Sequence, residues 1–436
     1  MSTLLNRIGS ANTYDSAIRN IAARQSALSN LQENLTSGKR VVRPSDDPTA
    51  AANAERALNR LSRIATDQRA LDAQSNAIRQ AESTLGTVVD VLQKFRELTV
   101  SAGNGINSAF ERKSIAMEMQ GLRDQIFSLA NTTDTNGLPL FSALGSALQP
   151  FVGPVSTAPD YSFKGLPGQA ASNDVSIPFT VDGDAAFMLQ TSRDGVFNVQ
   201  LGIGTSTLKT DAVVVKDPAQ LTPGSSYAIS NISPPVVDPI AGTSYVTYDV
   251  KETLANGLPG ATLSTQRGPD YPSIGGTIAI NISNVATPVP PLPAAPLTTP
   301  GLSFNIIGTP VAGDSIKVTP SPSLFSVLDN AIRDIGSASS SNSASQAVSQ
   351  ALHNIDIGMS RVSAVRGQAG DLLNRADRIA SNQQGRSIQL EADRSNAEDL
   401  DVIKGISDFN NQQTGYSAAL QTYAKVQQLS LFNYIS

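Results

Sequence analysis

Proline removes a backbone donor and clashes with the preceding helical turn, so it keeps a segment out of helix interiors and central strands. Of the 25 prolines in this chain of 436 residues, 23 lie between Pro139 and Pro322, and the other two, Pro44 and Pro48, share one short loop. Two helix-permissive ends therefore flank a proline-rich middle. The ends carry strong helix formers, as in "AANAERALNRLSRIATDQRALDAQ" and "DLLNRADRIASNQQGRSIQLEADR". The middle carries runs bounded by Gly, Pro and Asn, among them "VSIPFTV", "AAFMLQ", "DAVVVK" and "TIAINI", which read as strands. "TVDGD" between two such runs predicts an Asp-Gly hairpin turn. Asp182 and Asp184 within it lack the further oxygen ligands at fixed offsets that a calcium loop needs. "VATPVPPLPAAPLTTPG", residues 285–301, predicts an extended surface connection.

Periodicity assigns a role to the ends. Tyr14, Ile18, Ile21, Gln25, Leu28, Gln32 and Leu35 recur at alternating spacings of four and three, one seam of a helix. Val402, Ile406, Phe409, Gln413, Tyr416, Leu420, Tyr423 and Gln427 repeat that pattern near the other terminus. Two matching stripes at opposite ends of the chain predict a terminal helix pair packed as a coiled coil, with the glutamines setting register. A second helical layer follows. Leu58, Leu61, Ile64, Leu71, Ile78, Leu85, Val89 and Leu92 sustain a stripe from Pro48 to about Val100, a rod of about 80 Å at 1.5 Å per residue. Ile115, Met119, Leu122, Ile126 and Leu129 supply a shorter partner after "SAGNGINS", and Val348, Leu352, Ile355, Met359, Val362, Leu372, Leu373 and Ile379 supply a third strip.

The expected fold class is thus mainly α with an inserted all-β domain. A long helical rod, a coiled-coil-like bundle, is made of N- and C-terminal segments, with a terminal helix pair at one end and an outer β domain. The boundaries fall at 1–44 for an N-terminal coiled-coil helix paired with 400–436, 45–149 and 323–399 for the two parts of the rod, and 150–322 for the β domain.

The loop "SGKRVVRPSDDPTAAA", residues 37–52, separates the first two helices. A P-loop is excluded, because Glu33 and Arg40 stand where that motif needs a glycine and a Ser or Thr. Gly38 is a left-handed helix stop, and Lys39, Arg40 and Arg43 follow it toward the carbonyl end of the first helix. Asp47 before Pro48 is an N-cap followed by the first position of the next helix, with Asp46 beside it. A plain connector accounts for every residue type here. The sharper expectation is an interdomain loop, formed by Gly38, Arg40, Arg43, Asp46 and Asp47, that also contacts an adjacent subunit.

Composition excludes several functions. A formal net charge of -5 and a pI near 5.1 provide no general basic field for nucleic acid. No apolar run reaches the roughly 18 residues of a membrane span, and the first twenty residues lack the apolar core of a cleavable signal peptide, so neither membrane insertion nor leader-dependent secretion is expected. The absence of cysteine removes disulfides, thiolate metal sites and cysteine nucleophiles. His353 is the single histidine and sits on a Ser-, Ala- and Gln-rich helical stretch without a recognisable catalytic partner motif. No enzyme activity, metal or cofactor is expected.

"LTSGKRVVRPSDDPTAAANAE" and "ISDFNNQQTGYSAALQTYAKVQQLSLFNYIS" resemble the end signatures of the bacterial flagellin superfamily, the second being closer to its hook–filament junction branch than to filament flagellins. The resemblance covers about residues 1–145 and 324–436. "NAEDLDVIKGISD" is similar to the acidic break such proteins place before their last helix, and "NGLPLFSALGSALQPF" departs from their usual Gly-Tyr-Leu-Phe-Ser-Gly-like turn. The resemblance implies a non-enzymatic extracellular subunit, exported unfolded through the flagellar type III export apparatus and joining hook to filament. The implied partners are further copies of itself in a ring or helical assembly, the adjacent hook-associated junction protein, the filament side, and a cytosolic export chaperone that holds the C-terminal helix. The implied assembly seam is Tyr14, Ile18, Ile21, Leu28 and Leu35 with Ile406, Phe409, Tyr416, Leu420 and Tyr423. A filament flagellin would share this architecture but end in a different tail. An adhesin using the central domain is a further alternative, although "YSFKG" and "TSYVTYDV" offer only scattered aromatics.

Overall fold

Among the described residues, four helices longer than 30 residues and one of 22 account for most of the proline-free ends, as their composition dictates. A computed structural model describes residues 3–157, 160–202, 208–237, 242–272, 277–283, 301–311 and 313–435. Helices α1 (Thr3–Ser37), α2 (Pro48–Ala102) and α3 (Ala109–Ala130) open the chain. Short helices α4 (Gly183–Phe187) and α5 (Thr191–Asp194) lie in the middle, and α6 (Leu324–Gly336), α7 (Ser341–Glu398) and α8 (Val402–Ile435) close it. The chain divides into two compact units, Met1–Ala70 with Arg378–Ser436, and Leu71–Asp377. Helices α2 and α7 contribute residues to both.

In the larger unit the buried face of α2 runs through Leu71, Ile78, Leu85 and Leu92, a strict seven-residue repeat. Helix α7 answers with Ile355, Val362, Ala369 and Ala376, also seven apart and buried. Ion pairs Arg366 to Glu82 at 2.7 Å and Arg96 to Asp356 at 2.8 Å fix the two helices antiparallel. Helix α3 starts at a capping box, in which the Ser108 hydroxyl accepts from the Glu111 amide and the Glu111 carboxylate accepts from the Ser108 amide at 2.6 Å. It packs on α6, itself capped by Ser323.

Among the described residues, fourteen short strands fill the middle. They are β1 (Phe151–Val152), β2 (Ser162–Phe163), β3 (Phe197–Gly202), β4 (Lys209–Thr210), β5 (Val214–Val215), β6 (Ser226–Ser230) and β7 (Val236–Val237). The rest are β8 (Thr243–Tyr245), β9 (Thr247–Thr253), β10 (Pro259–Arg267), β11 (Tyr271–Pro272), β12 (Ile278–Ile282), β13 (Leu302–Ile307) and β14 (Ser315–Pro320). One antiparallel sheet has the order β10-β9-β6-β14-β3, and a second has the order β12-β13-β4 with β5 also on β13. Strands β11-β8-β7 and β1-β2 make smaller sheets. Strand alternation sends Tyr227, Ile229, Tyr248, Val250, Ile316 and Val318 of the first sheet into one apolar cluster with Ile278, Ile280, Ile282, Leu302, Phe304 and Ile306 of the second. Prolines 259 and 320 stand at strand ends, where a missing donor is harmless.

Tyr248 joins the two sheets. Its hydroxyl donates to the Asn281 carbonyl at 2.7 Å and accepts from the Asn281 amide at 3.0 Å, and burial pushes its phenol far above the ordinary tyrosine range. Tyr248→Phe leaves both Asn281 backbone groups buried without that partner. The expected cost is about 1–3 kcal/mol, read as a lowered urea midpoint.

Two expectations for the middle are corrected. "TVDGD" is not a hairpin: Asp182 caps α4, its carboxylate accepting from the Ala185 amide at 3.2 Å. "VSIPFTV" and most of "AAFMLQ" are loop and short helix rather than strands, because residues 141–187 supply the aromatic layer over α3 and α6. The turn at "NGLP" closes by Asp134, whose carboxylate accepts from the amides of Asn136 and Leu138, both at 2.8 Å. The proline-rich connection lies outside the described residues apart from Gly301.

Candidate assembly site at the paired terminal helices

Helices α1 and α8 pack along each other within the smaller unit. Tyr14 and Tyr423 meet edge to face, with ring centroids 6.2 Å apart at 87°. Arg24 donates to the Gln412 side-chain oxygen at 3.5 Å beside Gly415. Gly405 is buried where a β-carbon would stand 2.9 Å from the Leu400 side chain and 3.2 Å from that of Leu35, so these two leucines fill the space over the glycine.

The half-buried residues of α1 include Tyr14, Ala17, Ile21, Leu28, Leu31 and Leu35, with the exposed Arg24 in register between them, and those of α8 include Phe409, Gln412, Tyr416, Ala419 and Tyr423 below Gly405. One column of the expected seam, Tyr14, Ile21, Leu28, Leu35, Phe409, Tyr416 and Tyr423, thus lies in the contact. The other column is displaced by one residue. Ile18, Ile406 and Leu420 are 49%, 49% and 42% exposed, and Gln25, Gln32, Gln413 and Val402 also face away. Their places in the intramolecular contact go to Ala17, Arg24, Leu31, Gln412 and Ala419. At Ala17 and Ala419 the physical reason is size, since small residues let two helix axes come together, whereas hydrophobicity alone ranks isoleucine and leucine above alanine. A cleft of about 730 Å³ remains between the helices, lined by Tyr14, Ile21, Ala27, Ala419, Tyr423 and Val426 among others.

The connector between α1 and α2 is paired with the one between α7 and α8. Gly38, at φ 71°, ends α1 and its carbonyl accepts from the Leu400 amide at 2.9 Å. Lys39 and Asp399 form an antiparallel bridge, and the Lys39 ammonium pairs with Glu398. Arg40 donates its backbone amide to the Glu398 carbonyl and its guanidinium to the Ala397 carbonyl, both at 2.8 Å, and reaches Asp47 at 3.3 Å. The expectation that Lys39 and Arg40 serve the end of α1 is therefore corrected: both turn to the end of α7, Lys39 to the Glu398 carboxylate and Arg40 to the Ala397 carbonyl, where a cation is equally favoured. Arg43 turns back to Glu33 at 2.8 Å. Asp46 accepts from the amides of Val42 at 3.2 Å and Arg43 at 2.8 Å, folding the loop. Asp47 caps α2 by accepting from the Ala50 amide at 3.0 Å, and that bond, with Arg40, holds its carboxyl below the usual range. Asp401 caps α8 through the Lys404 amide at 3.1 Å.

The site offers packing and capping rather than bond chemistry. Among the described residues no group of three His, Asp or Glu side chains is placed to hold a metal, and no helix is long and apolar enough to cross a membrane. His353 is exposed on α7.

The N-terminal part of this helical frame is similar to a known one: residues 8–145 match the bacterial flagellin N-terminal helical region. Flagellar hook-associated protein 3 of Salmonella typhimurium is 34% identical over 145 residues, 33% of this chain and 46% of that one. The Escherichia coli protein of the same name is 36% identical over 138 residues, 32% of this chain and 44% of its own length, so the match spans less than half of each curated relative. The crystal structure of the flagellar junction protein FlgL from Legionella pneumophila aligns with a TM-score of 0.55 and 24% identity, covering 80% of this chain and all of that one. A Xanthomonas campestris FlgL structure aligns at 0.51 and 20% identity, covering 78% and 99%. The fold, helical ends around a central β domain, is shared with these junction proteins.

Proposed function

We propose that this chain is a structural subunit of the flagellar hook–filament junction, held in place through its terminal helices. The observation that carries the reading is the pairing of α1 with α8 in a way that leaves a second apolar row uncovered: Ile18, Val402, Ile403, Ile406 and Leu420 all face outward. Ile406 and Leu420 stand two heptads apart on one face of α8, a stripe suited to further helices. Neighbouring copies of the chain cover that row in a ring or helical assembly. The Gly38–Asp47 connector, already saturated by its own partners within the chain, orients the helix pair for that contact. The names of the curated relatives support the same reading, as does the fold shared with junction proteins. The subunit then lies outside the cell, between an adjacent hook-associated protein and the filament. It leaves the cell through the flagellar type III apparatus, and a cytosolic chaperone covers the apolar row until then.

Electron microscopy of a deletion strain tests this directly. Hooks without attached filaments are expected, and an epitope-tagged copy should restore filaments and label only the hook tip. Normal filaments in the deletion strain, or label along the filament length, would remove the junction assignment.

A further inference from the structure

Three Asn-Gly steps occur in the sequence, Asn104–Gly105, Asn136–Gly137 and Asn256–Gly257, and all six residues are exposed. Glycine, lacking a β-carbon, leaves its backbone nitrogen open to the side chain of the preceding asparagine. That nitrogen can attack the side-chain carbonyl carbon only after losing its proton. An amide engaged as a hydrogen-bond donor is held back from the reaction.

The structure separates the three steps. The Gly137 amide donates to the Asp134 carbonyl at 3.0 Å, and Asn136 is itself tied to the Asp134 carboxylate through its backbone amide at 2.8 Å and its side-chain nitrogen at 3.4 Å. The Gly257 amide donates to the Leu254 carbonyl at 2.8 Å, closing the turn between β9 and β10. The Gly105 amide donates to no atom among the described residues, although its neighbours are engaged: Asn104 to Ser101 at 3.1 Å and Asn107 to Asn104 at 3.0 Å. The Ile106 amide donates to Asn104 Oδ1 at 3.3 Å, which folds the asparagine side chain back over the Gly105 peptide. Asn256 is curled in the same way, accepting from the Leu258 amide at 3.0 Å, so the glycine amide is what differs between these two sites.

We infer that Asn104 is a site of self-modification, converted to aspartate and isoaspartate by the backbone amide of Gly105. The Gly105 nitrogen forms a bond to Asn104 Cγ, the Cγ–Nδ2 bond breaks, and Nδ2 leaves as ammonia with the proton given up by Gly105. One water then opens the cyclic imide at either of its two carbonyls. The net change is side-chain amide plus water to carboxylate plus ammonium, with no cofactor. It places a new negative charge between the end of α2 and the Ser108 cap of α3, beside the exposed side chains of Ile106 and Phe110.

The test incubates the full chain in mildly alkaline buffer, with and without urea, and follows the three sites by peptide mass mapping and isoaspartate methyltransferase labelling. In the folded chain, conversion at Asn104 is expected to run several-fold ahead of Asn136 and Asn256. In urea, where the hydrogen bonds of Gly137 and Gly257 are lost, the three rates should converge. Equal or faster conversion at Asn136 or Asn256 in the folded chain would overturn the inference. An unchanged lead for Asn104 in urea would overturn it too, by assigning the preference to neighbouring sequence rather than to the fold.

Discussion

Replacing Phe325 with alanine is expected to lower the stability of the larger unit by about 3–5 kcal/mol. Phe325 lies in the first turn of α6 and is fully buried. Its ring meets Phe127 of α3 at 5.2 Å and 80°, Phe151 of β1 at 5.6 Å and 67°, Tyr161 at 5.2 Å, and Phe187 of α4 in a stack at 5.7 Å and 12°. It is the ring through which a helix, a strand, a loop and a short helix are joined. The cost of removing a core side chain depends on how far its surroundings can collapse. Here collapse is restricted, because Tyr161 is anchored through its hydroxyl to Asp329 at 2.6 Å and Asp329 is held by Arg123 at 2.9 Å. Burial pushes the Asp329 carboxyl up, while Tyr161 and Arg123 act against that rise. Urea titration followed by circular dichroism should show a lower midpoint with an unchanged slope. Phe110→Ala is the matched control, since that ring is 82% exposed and its loss should change stability by no more than about 0.5 kcal/mol. A loss below about 1 kcal/mol for Phe325→Ala would show that the aromatic cluster repacks freely.

None of that cluster was legible in the sequence, and the reason is physical. Phe127, Phe141, Phe151, Tyr161, Phe187 and Phe325 come from helix, turn, strand and loop with no common period, so nothing local announces their meeting. The heptads of α2 were legible, because Leu71, Ile78, Leu85 and Leu92 repeat one large residue type on one helix face. The same logic misled at the termini. A hydrophobic scale selects Ile18 and Leu420, while the intramolecular contact selects Ala17 and Ala419, whose merit is that they are small. A cue was present in Gly405, Gly415 and Ala419, small residues over which α1 side chains such as Leu35 and Arg24 pack, but small residues are also common where nothing packs. In the connector the caps were legible from residue type, as with Asp47 before Pro48. The partners of Lys39 and Arg40 were not, because Glu398 and the Ala397 carbonyl lie more than 350 residues away along the chain.

Leu420→Asp is expected to abolish filament attachment while the free subunit keeps its fold. Leu420 is 42% exposed in the single chain, so a carboxylate there stays hydrated and the α1–α8 pair forms as before. Once neighbouring subunits cover the outer row, the same carboxylate loses its water without gaining a partner, at a cost of several kcal/mol for every copy in the assembly. The leucine it replaces contributes up to about 1.5–3 kcal/mol when fully covered, so the change removes attraction and adds repulsion together. Ala419→Asp, one residue away, should behave differently. Ala419 lines the contact with α1, and a charge there should loosen the helix pair already in the isolated subunit, seen as lost helicity and faster trimming of both termini by protease. Leu420→Met conserves volume and should support swimming. The three substitutions together distinguish the outer row from the inner seam: Leu420→Asp should leave circular dichroism and export intact, with hooks formed and filaments shed into the medium. If that strain swims normally with the mutant subunit present at the hook tip, the outer row is not the surface that holds the junction together.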